Sequence, residues 1–314
     1  MWTDGDTRGA VRDALRLSRA MTAKSAVADL PLGGGKGVIA LPPGVAPLSP
    51  DRRRAALLDF AEAVDSLDGR YITAEDVGTS DADMEVIAER TRHVAGLSRA
   101  RGGSGDPSPW TALGVAAAIR VTCERVWGSR SLGGRRIAVI GLGQVGGRLA
   151  RLLAAEGATL LIADVDVARR ALASELGARW AEPAAALCAE VDLVAPCALG
   201  GVLDHETAPA LRCRAVAGAA NNQLAADDVA ALLHARGILW APDFVANAGG
   251  IINIAVELEP GGYDEARAAA RVEAIGDTLS TIYAMAEAEG TTPLAAAQAI
   301  ARRRLAEAAG DGSP

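Results

Sequence analysis

The chain has 314 residues, half of them hydrophobic, with only 3% aromatics and a formal net charge of −7. This length accommodates two domains with separate cores, and an acidic balance without a basic patch excludes nucleic acid as an expected partner. No apolar run is long enough for a bilayer and the N-terminus lacks a signal-peptide pattern, so no membrane contact and a cytoplasmic location are expected. Cys123, Cys188, Cys197 and Cys213 stand far apart without clustered histidines. That argues against a disulfide framework or a metal site and for small buried apolar residues.

Residues 9–25 repeat apolar side chains at helical spacing through Val11, Leu15, Ala20 and Met21, which predicts a helix with Lys24 in its last turn. Pro31, Gly33, Gly34 and Gly35 stop regular structure. Lys36 follows them, in a loop whose glycines let the backbone approach a ligand, and residues 37–41 read as a short strand. Residues 51–67 read as a helix with Asp51 as its N-cap. Residues 69–80 read as a strand running into a turn, with Asp76 at the strand's end. The stretch 101–109, dense in Gly, Ser and Pro, is the expected domain boundary or hinge. Beyond it a helix over 111–126 leads to a strand, a glycine turn, a helix and a second strand over 135–166. Further strand signals fall at 191–199, 215–220 and 237–245.

Against 30 arginines the chain holds two lysines, Lys24 and Lys36, and its four asparagines are Asn221, Asn222, Asn247 and Asn253. Arginine cannot be deprotonated in a protein, whereas lysine can shift its pKa and act as a base. In a chain that otherwise spells its cations as arginine, two lysines beside one glycine-rich loop point to a reaction centre. The plainer alternative is chance survival of two surface lysines.

Gly141, Gly143 and Gly146 directly follow the apolar strand 137–140 and open a helix, with Gln144 and Val145 between the last two. In that context the first glycine makes the turn, the second admits a pyrophosphate, and the third lets helix and strand pack closely. Asp164 ends the next strand, where a carboxylate accepts from the ribose hydroxyls and repels a 2′-phosphate. NAD is therefore the expected cofactor, with Arg169 and Arg170 keeping NADP as the alternative.

The segments MTAKSAVADLPLGGGKGVI, GRYITAEDVGT, GDPSPWTALGV, GLGQVGGRLA, APCALG, GAANNQL and PDFVANAGGIINIAVE together resemble the leucine, valine and phenylalanine dehydrogenase branch of the glutamate dehydrogenase superfamily. The resemblance runs from residue 1 to about 305. It implies an α/β protein with a Rossmann dinucleotide-binding domain, a dimerisation-type amino-acid dehydrogenase domain and an active site in the cleft between them. By it, Lys24 pairs with the substrate α-carboxylate, Lys36 activates the attacking water, and Asp76 shuttles the proton of the amino group. Asn222 and Asn247 fix the carboxylate and the nicotinamide side of the cleft. Thr111, Cys197, Ala198 and Asn222 join the glycine turn and Asp164 around the cofactor.

Acid–base chemistry agrees with those roles. Hydride loss from an amino acid leaves an imine, and its hydrolysis at neutral pH needs a base such as a lysine of depressed pKa. Burial and a neighbouring cation, here Lys24, are expected to depress Lys36. The plain alternatives are a turn role for Asp76 and for Asn247.

By the same resemblance Ile251 and Ile254 line the side-chain pocket and Ala74 borders it. Glutamate-specific relatives carry serine where this chain has Ile254, and burying a carboxylate against isoleucine is costly. The expected activity is therefore NAD-dependent oxidative deamination of an aliphatic, branched-chain L-amino acid to its 2-oxo acid. The alternatives are an aromatic or specialised substrate, or a non-catalytic NAD-binding relative.

Members of this family usually begin some forty residues earlier, with a strand pair and a Gly-Gly-x-Arg segment. The expected explanation is a start assigned inside a longer reading frame; a genuinely shortened chain would expose a sheet edge and part of its core. Residues 1–109, with the helices from about 285 onward, are expected to form the substrate and dimerisation domain. Residues 110–284 are expected to form the Rossmann domain, in a homo-oligomer.

Overall fold

Short runs of aliphatic residues supply a parallel six-stranded sheet in the computed structural model, which describes residues 6–310 except 43, 46 and 77. The strands are β1 (Arg136–Ile140), β2 (Thr159–Ala163), β3 (Arg179–Trp180), β4 (Leu193–Pro196), β5 (Ala215–Val216) and β6 (Leu239–Trp240), in the order β3-β2-β1-β4-β5-β6. β1 and β4 lie in the middle, and Ile137, Val139, Leu193 and Ala195 are fully buried. Helices on both faces exclude water from such strands, which is why they read as continuous apolar runs without alternation. The strand order turns back between β1 and β4, and open α/β sheets present their ligand crevice at that point.

The helix Ser108–Trp127 packs across one face of this sheet and makes the largest contribution to the main core, through Trp110, Val115, Ile119 and Val121 among others. Much of its buried surface is alanine and glycine. Small side chains let other helices come close. A Cβ on Gly249 would overlap the Trp110 carbonyl oxygen, and one on Gly250 would sit 2.8 Å from Thr111 Oγ1. The helix Gly249–Glu257 can therefore seat against Ser108–Trp127 only because neither residue has a side chain.

The first part of the chain is built differently. The helix Thr7–Val27 carries Lys24 in its last turn, but Val11 and Leu15 are 55% and 68% exposed. Their spacing marks an outward face, and the buried side is Ala10, Ser25, Ala26 and Val27. The second helix runs Pro50–Asp65 with Ser49 in the N-cap position, so Asp51 is a first-turn residue and not the cap. Proline favours the first helical position because its missing N–H costs nothing there.

Two expected strands are not formed. In residues 37–41 only Ala40 is bridged, and in 69–76 only Thr73, paired in parallel with Val94. A strand is held by a ladder, and a single bridge leaves the neighbouring backbone groups outside one. A small separate core of Leu57, Ala61, Met84, Ile87 and Val94 underlies this region.

Two sets of contacts tie the first part of the chain to the rest. Arg304, in the last helix Pro293–Gly310, donates to the Ala26 and Val27 carbonyls at 3.0 and 2.7 Å, satisfying acceptors that a helix end leaves open. Around the Gly- and Ser-rich stretch, Glu257 Oε2 accepts from Gly96 N at 2.9 Å and Ser104 N at 2.8 Å. Asn253, fully buried, donates to Ser104 O at 3.3 Å and accepts from the Tyr263 hydroxyl at 2.6 Å.

Gly249→Ala should lower the thermal midpoint, because overpacking against backbone costs about 1–3 kcal/mol. An unchanged melting curve would show that these two helices can separate freely.

Candidate active site

Three elements position the lysines and their partners. The helix Thr7–Val27 delivers Lys24, the loop after it delivers Lys36, and the turn over 76–79 delivers Asp76. That turn is closed by Thr79 N donating to Asp76 O at 2.9 Å and by Asp76 N donating to Thr79 Oγ1 at 3.0 Å. The Asp76 carboxylate forms an ion pair with Lys36 Nζ, so Asp76 is both a turn residue and the partner of a lysine. Two of the glycines before Lys36 also have a packing task. A Cβ on Gly34 would overlap the Ser18 carbonyl and Thr22, and one on Gly35 would strike the Tyr71 ring. They let the loop lie flat on protein, which fixes the root of the Lys36 side chain.

Lys24 Nζ donates to Asn221 Oδ1 at 3.1 Å. Asn247 donates to the same oxygen at 2.9 Å and to the Ala219 carbonyl at 3.1 Å. Asn221, which the sequence did not single out, thus joins the first helix to the segment before Gly249. Asn222 has φ of +52° and its carbonyl accepts from Gly201 N at 2.7 Å; it shapes the loop while Asn221 makes the side-chain contacts. The scarcity of asparagine marked both residues but could not rank them. Asn247 is only 5% exposed, and its Oδ1 has no hydrogen-bond partner among the described residues. A buried acceptor left open is costly unless a ligand donor meets it.

Burial sets the proton affinities. It pushes Lys24 down to about 8, with Asp243 opposing and the charge of Lys36 adding to the depression. Burial also lowers Lys36, against the opposing charge of Asp13. Desolvation alone lowers Lys36, without the expected push from Lys24, whereas Lys24 is depressed by burial and by Lys36.

The glycine turn after β1 fits a dinucleotide. Gly141 has φ of +95°, and a Cβ there would lie 2.6 Å from the Ala198 Cβ. A Cβ on Gly146 would overlap the Gly141 carbonyl and come within 3.0 Å of Cys197 Cβ. Cys197 and Ala198 therefore wall the turn from the β4 side. Burial pushes the Cys197 thiol up to about 12, which leaves it an uncharged packing group. Nothing lies within 4 Å of a Cβ on Gly143, so that face of the turn is open. Gln144 and Val145 begin the helix Gln144–Ala155, whose N-cap Gly143 supplies no side-chain cap, and the N–H groups of such a helix start suit a phosphate. Asp164, just after β2, accepts from Leu142 N at 2.6 Å and from Asp166 N at 2.8 Å, so backbone donors fix its carboxylate beside the turn.

Thr111 donates to the Pro107 carbonyl at 3.1 Å and lies where Gly250 approaches. On the helix Gly249–Glu257, Ile252, Ala255 and Val256 face the core, and Asn253 and Glu257 face the 96–104 segment. Ile251 and Ile254, three residues apart and only half-buried, share the remaining face. Ala74 sits two residues before Asp76 and next to the Thr73 bridge, half-buried.

Comparison with known proteins shows the family of the chain. A family model described as Glutamate/Leucine/Phenylalanine/Valine dehydrogenase matches residues 163–312, and one for the Glu/Leu/Phe/Val dehydrogenase dimerisation domain matches residues 4–93. A leucine dehydrogenase of Thermoactinomyces intermedius is 43% identical over 97% of this chain and 82% of its own length. A valine dehydrogenase of Streptomyces virginiae is 44% identical over 95% of this chain and 83% of its own. The crystal structure of L-tryptophan dehydrogenase from Nostoc punctiforme superposes with a TM-score of 0.81 at 38% identity, covering 96% of this chain and 85% of that one.

Gly143→Ala should leave the melting temperature unchanged, because its Cβ would meet nothing, yet weaken NADH binding measured by nicotinamide fluorescence. Equal affinity in the variant would place the pyrophosphate elsewhere.

Proposed function

Because this chain belongs to the glutamate/leucine/phenylalanine/valine dehydrogenase family, we propose that it deaminates a branched-chain L-amino acid with NAD. The amino acid, NAD and water give the 2-oxo acid, ammonium, NADH and a proton. The observation that carries this reading is the ion pair of Lys36 with Asp76, within reach of the Lys24 charge.

Membership in a dehydrogenase family implies a nicotinamide cofactor, which when bound accepts the hydride from the substrate Cα. Lys24, in its ammonium form, holds the substrate carboxylate and is itself steadied by Asn221. Lys36, whose charged form burial disfavours, takes a proton from the water that adds to the imine carbon. Asp76, already in contact with Lys36, receives that proton and returns it to the departing amine. Two groups of different proton affinity at one carbon allow proton uptake and release within a single turnover. Asn247 Oδ1, open and buried, suits an N–H donor of the substrate or of the nicotinamide amide.

Asp164 supports NAD over NADP, since its fixed carboxylate would repel a 2′-phosphate. Arg169 lies 3.6 Å from Asp166 in an exposed ion pair, which engages the nearest cation otherwise suited to that phosphate. Ile251 and Ile254 offer an aliphatic wall, and Ala74 leaves room beside it. Against such a wall a distal carboxylate would stay unpaired at a cost of several kcal/mol, on the order of a buried charge. The relatives named leucine and valine dehydrogenase support the branched-chain assignment. The tryptophan dehydrogenase at 38% identity makes an aromatic substrate the second reading. The match to a dimerisation domain over residues 4–93 supports a homo-oligomer.

Purified protein with NAD should form NADH, followed by absorbance, with L-valine, L-leucine or L-isoleucine in preference to L-phenylalanine, L-tryptophan and L-glutamate. Lys36→Ala should reduce kcat by roughly 100-fold or more, the usual contribution of a general base, while still binding NADH. No turnover on any member of this panel by protein that binds NADH would defeat the assignment. Preference for tryptophan would select the second reading.

A further inference from the structure

In the short helix packed against the one that bears Lys24 lies a carboxylate that the chemistry above does not use. Asp243 is 7% exposed. Its Oδ2 accepts from Gln223 N at 2.6 Å and its Oδ1 from Phe244 N at 2.7 Å. Gln223 is fully buried and is held on every polar atom of its side chain. Its Nε2 donates to the Gly218 and Ala220 carbonyls at 3.0 and 3.2 Å, and its Oε1 accepts from Trp240 Nε1 at 3.1 Å. Two residues earlier in the same loop, Asn221 Oδ1 receives Lys24 Nζ. The helix Thr7–Val27, which bears Lys24, also packs against the short helix Asp243–Ala246.

We propose that Asp243 is a positioning residue for Lys24, supplying the buried counter-charge that keeps an ammonium at the substrate carboxylate subsite and pinning the Asn221 loop that holds it. The proposal rests on the reaction assigned above and extends its machinery by one residue. As an acceptor for two N–H groups alone, a neutral side chain would serve at this position. An ionised carboxylate brought into the interior is costly unless a cation or several donors compensate it. Burial raises the Asp243 carboxyl, while the Lys24 charge and the backbone N–H groups draw it back down. Reciprocally, Asp243 is the charge that opposes the burial-driven fall of Lys24.

The other charges facing Lys24 are accounted for. Lys36 adds to its depression but is itself paired with Asp76 and faces Asp13. From the last helix, Arg304 is directed to the Ala26 and Val27 carbonyls and to Asp29. Among the described residues Asp243 is thus the anion acting on Lys24, and a substrate carboxylate would be the second.

Two lysines in the whole chain make a direct test practical. Protein labelled with carbon-13 at lysine Cε should give two side-chain signals, assigned with Lys36→Arg, and the Lys24 signal should titrate near pH 8. In Asp243→Asn that midpoint should move to lower pH, and Asp243→Glu should return it toward the wild-type value. In turnover, the pH above which KM for the amino acid rises should fall in Asp243→Asn, with a smaller effect on kcat.

An unmoved Lys24 midpoint in folded Asp243→Asn would overturn the proposal. If that variant does not fold, the Asp243 carboxyl is followed in Lys24→Met instead; its titration should move to higher pH, and an unchanged one would overturn the proposal equally. The titrations need no turnover. A shifted midpoint in a protein inactive on every amino acid would therefore refute the assigned reaction while supporting the charge coupling.

Discussion

The close seating of the helix Gly249–Glu257 on Trp110 and Thr111 is the constraint on which the rest of the site depends. It brings backbone within reach of backbone, where any side chain at residue 249 would collide. From this contact Asn247 points back to Asn221, Ile251 and Ile254 are turned to one face, and Asn253 and Glu257 are turned to another. The cost of two glycines inside a helical region, about 1 kcal/mol each relative to alanine, is offset by burial of Ile252, Ala255 and Val256 against the main core. The shared face of Ile251 and Ile254, the Asn247–Asn221 contact and the anchoring of the 96–104 segment are consequently set by one packing decision.

Polar groups occupy the interior here in a connected way. Lys24, Asn221 and Asn247 form one chain of contacts, and Asp243, Gln223 and Trp240 form another immediately behind it. The two meet in the three-residue loop Asn221, Asn222 and Gln223. Such a network makes the environment of an ammonium reproducible, because each member loses a partner if any other moves. Charge and position are then controlled together, as a substrate carboxylate subsite requires.

Legibility in the sequence followed the range of the interactions involved. β1, the glycine turn, the next helix and Asp164 form a local unit within about thirty residues, and each residue there has a reason that can be stated from spacing. Lys24 and Lys36 stood out by their rarity alone. Strands over 37–41 and 69–76 were misread because strand existence depends on ladder partners, which Thr73 has only at Val94. Val11 and Leu15 had helical spacing, but spacing does not say which face is covered. Asn221 and Asp243 escaped notice for a related reason. Their importance comes from side chains nearly two hundred or more positions away, and no local pattern separates Asn221 from Asn222 or marks Asp243 as buried. The lining role of Ile251 and Ile254 came from family likeness, since an isoleucine pair on a helix is by itself an ordinary core pattern.

The double hydrogen bond from Glu257 to Gly96 N and Ser104 N has a mechanical consequence. One carboxylate clasps the two ends of the segment 96–104, so that stretch is anchored to the helix Gly249–Glu257 and is not a slack tether. The carboxylate thereby links the chain just after the Thr73–Val94 bridge to the helix bearing Ile251 and Ile254. The three residues after the clasped segment, Gly105, Asp106 and Pro107, lead into the helix Ser108–Trp127. Of these, only Gly105 has the left-handed backbone, with φ of +67°, that lets a chain reverse direction sharply.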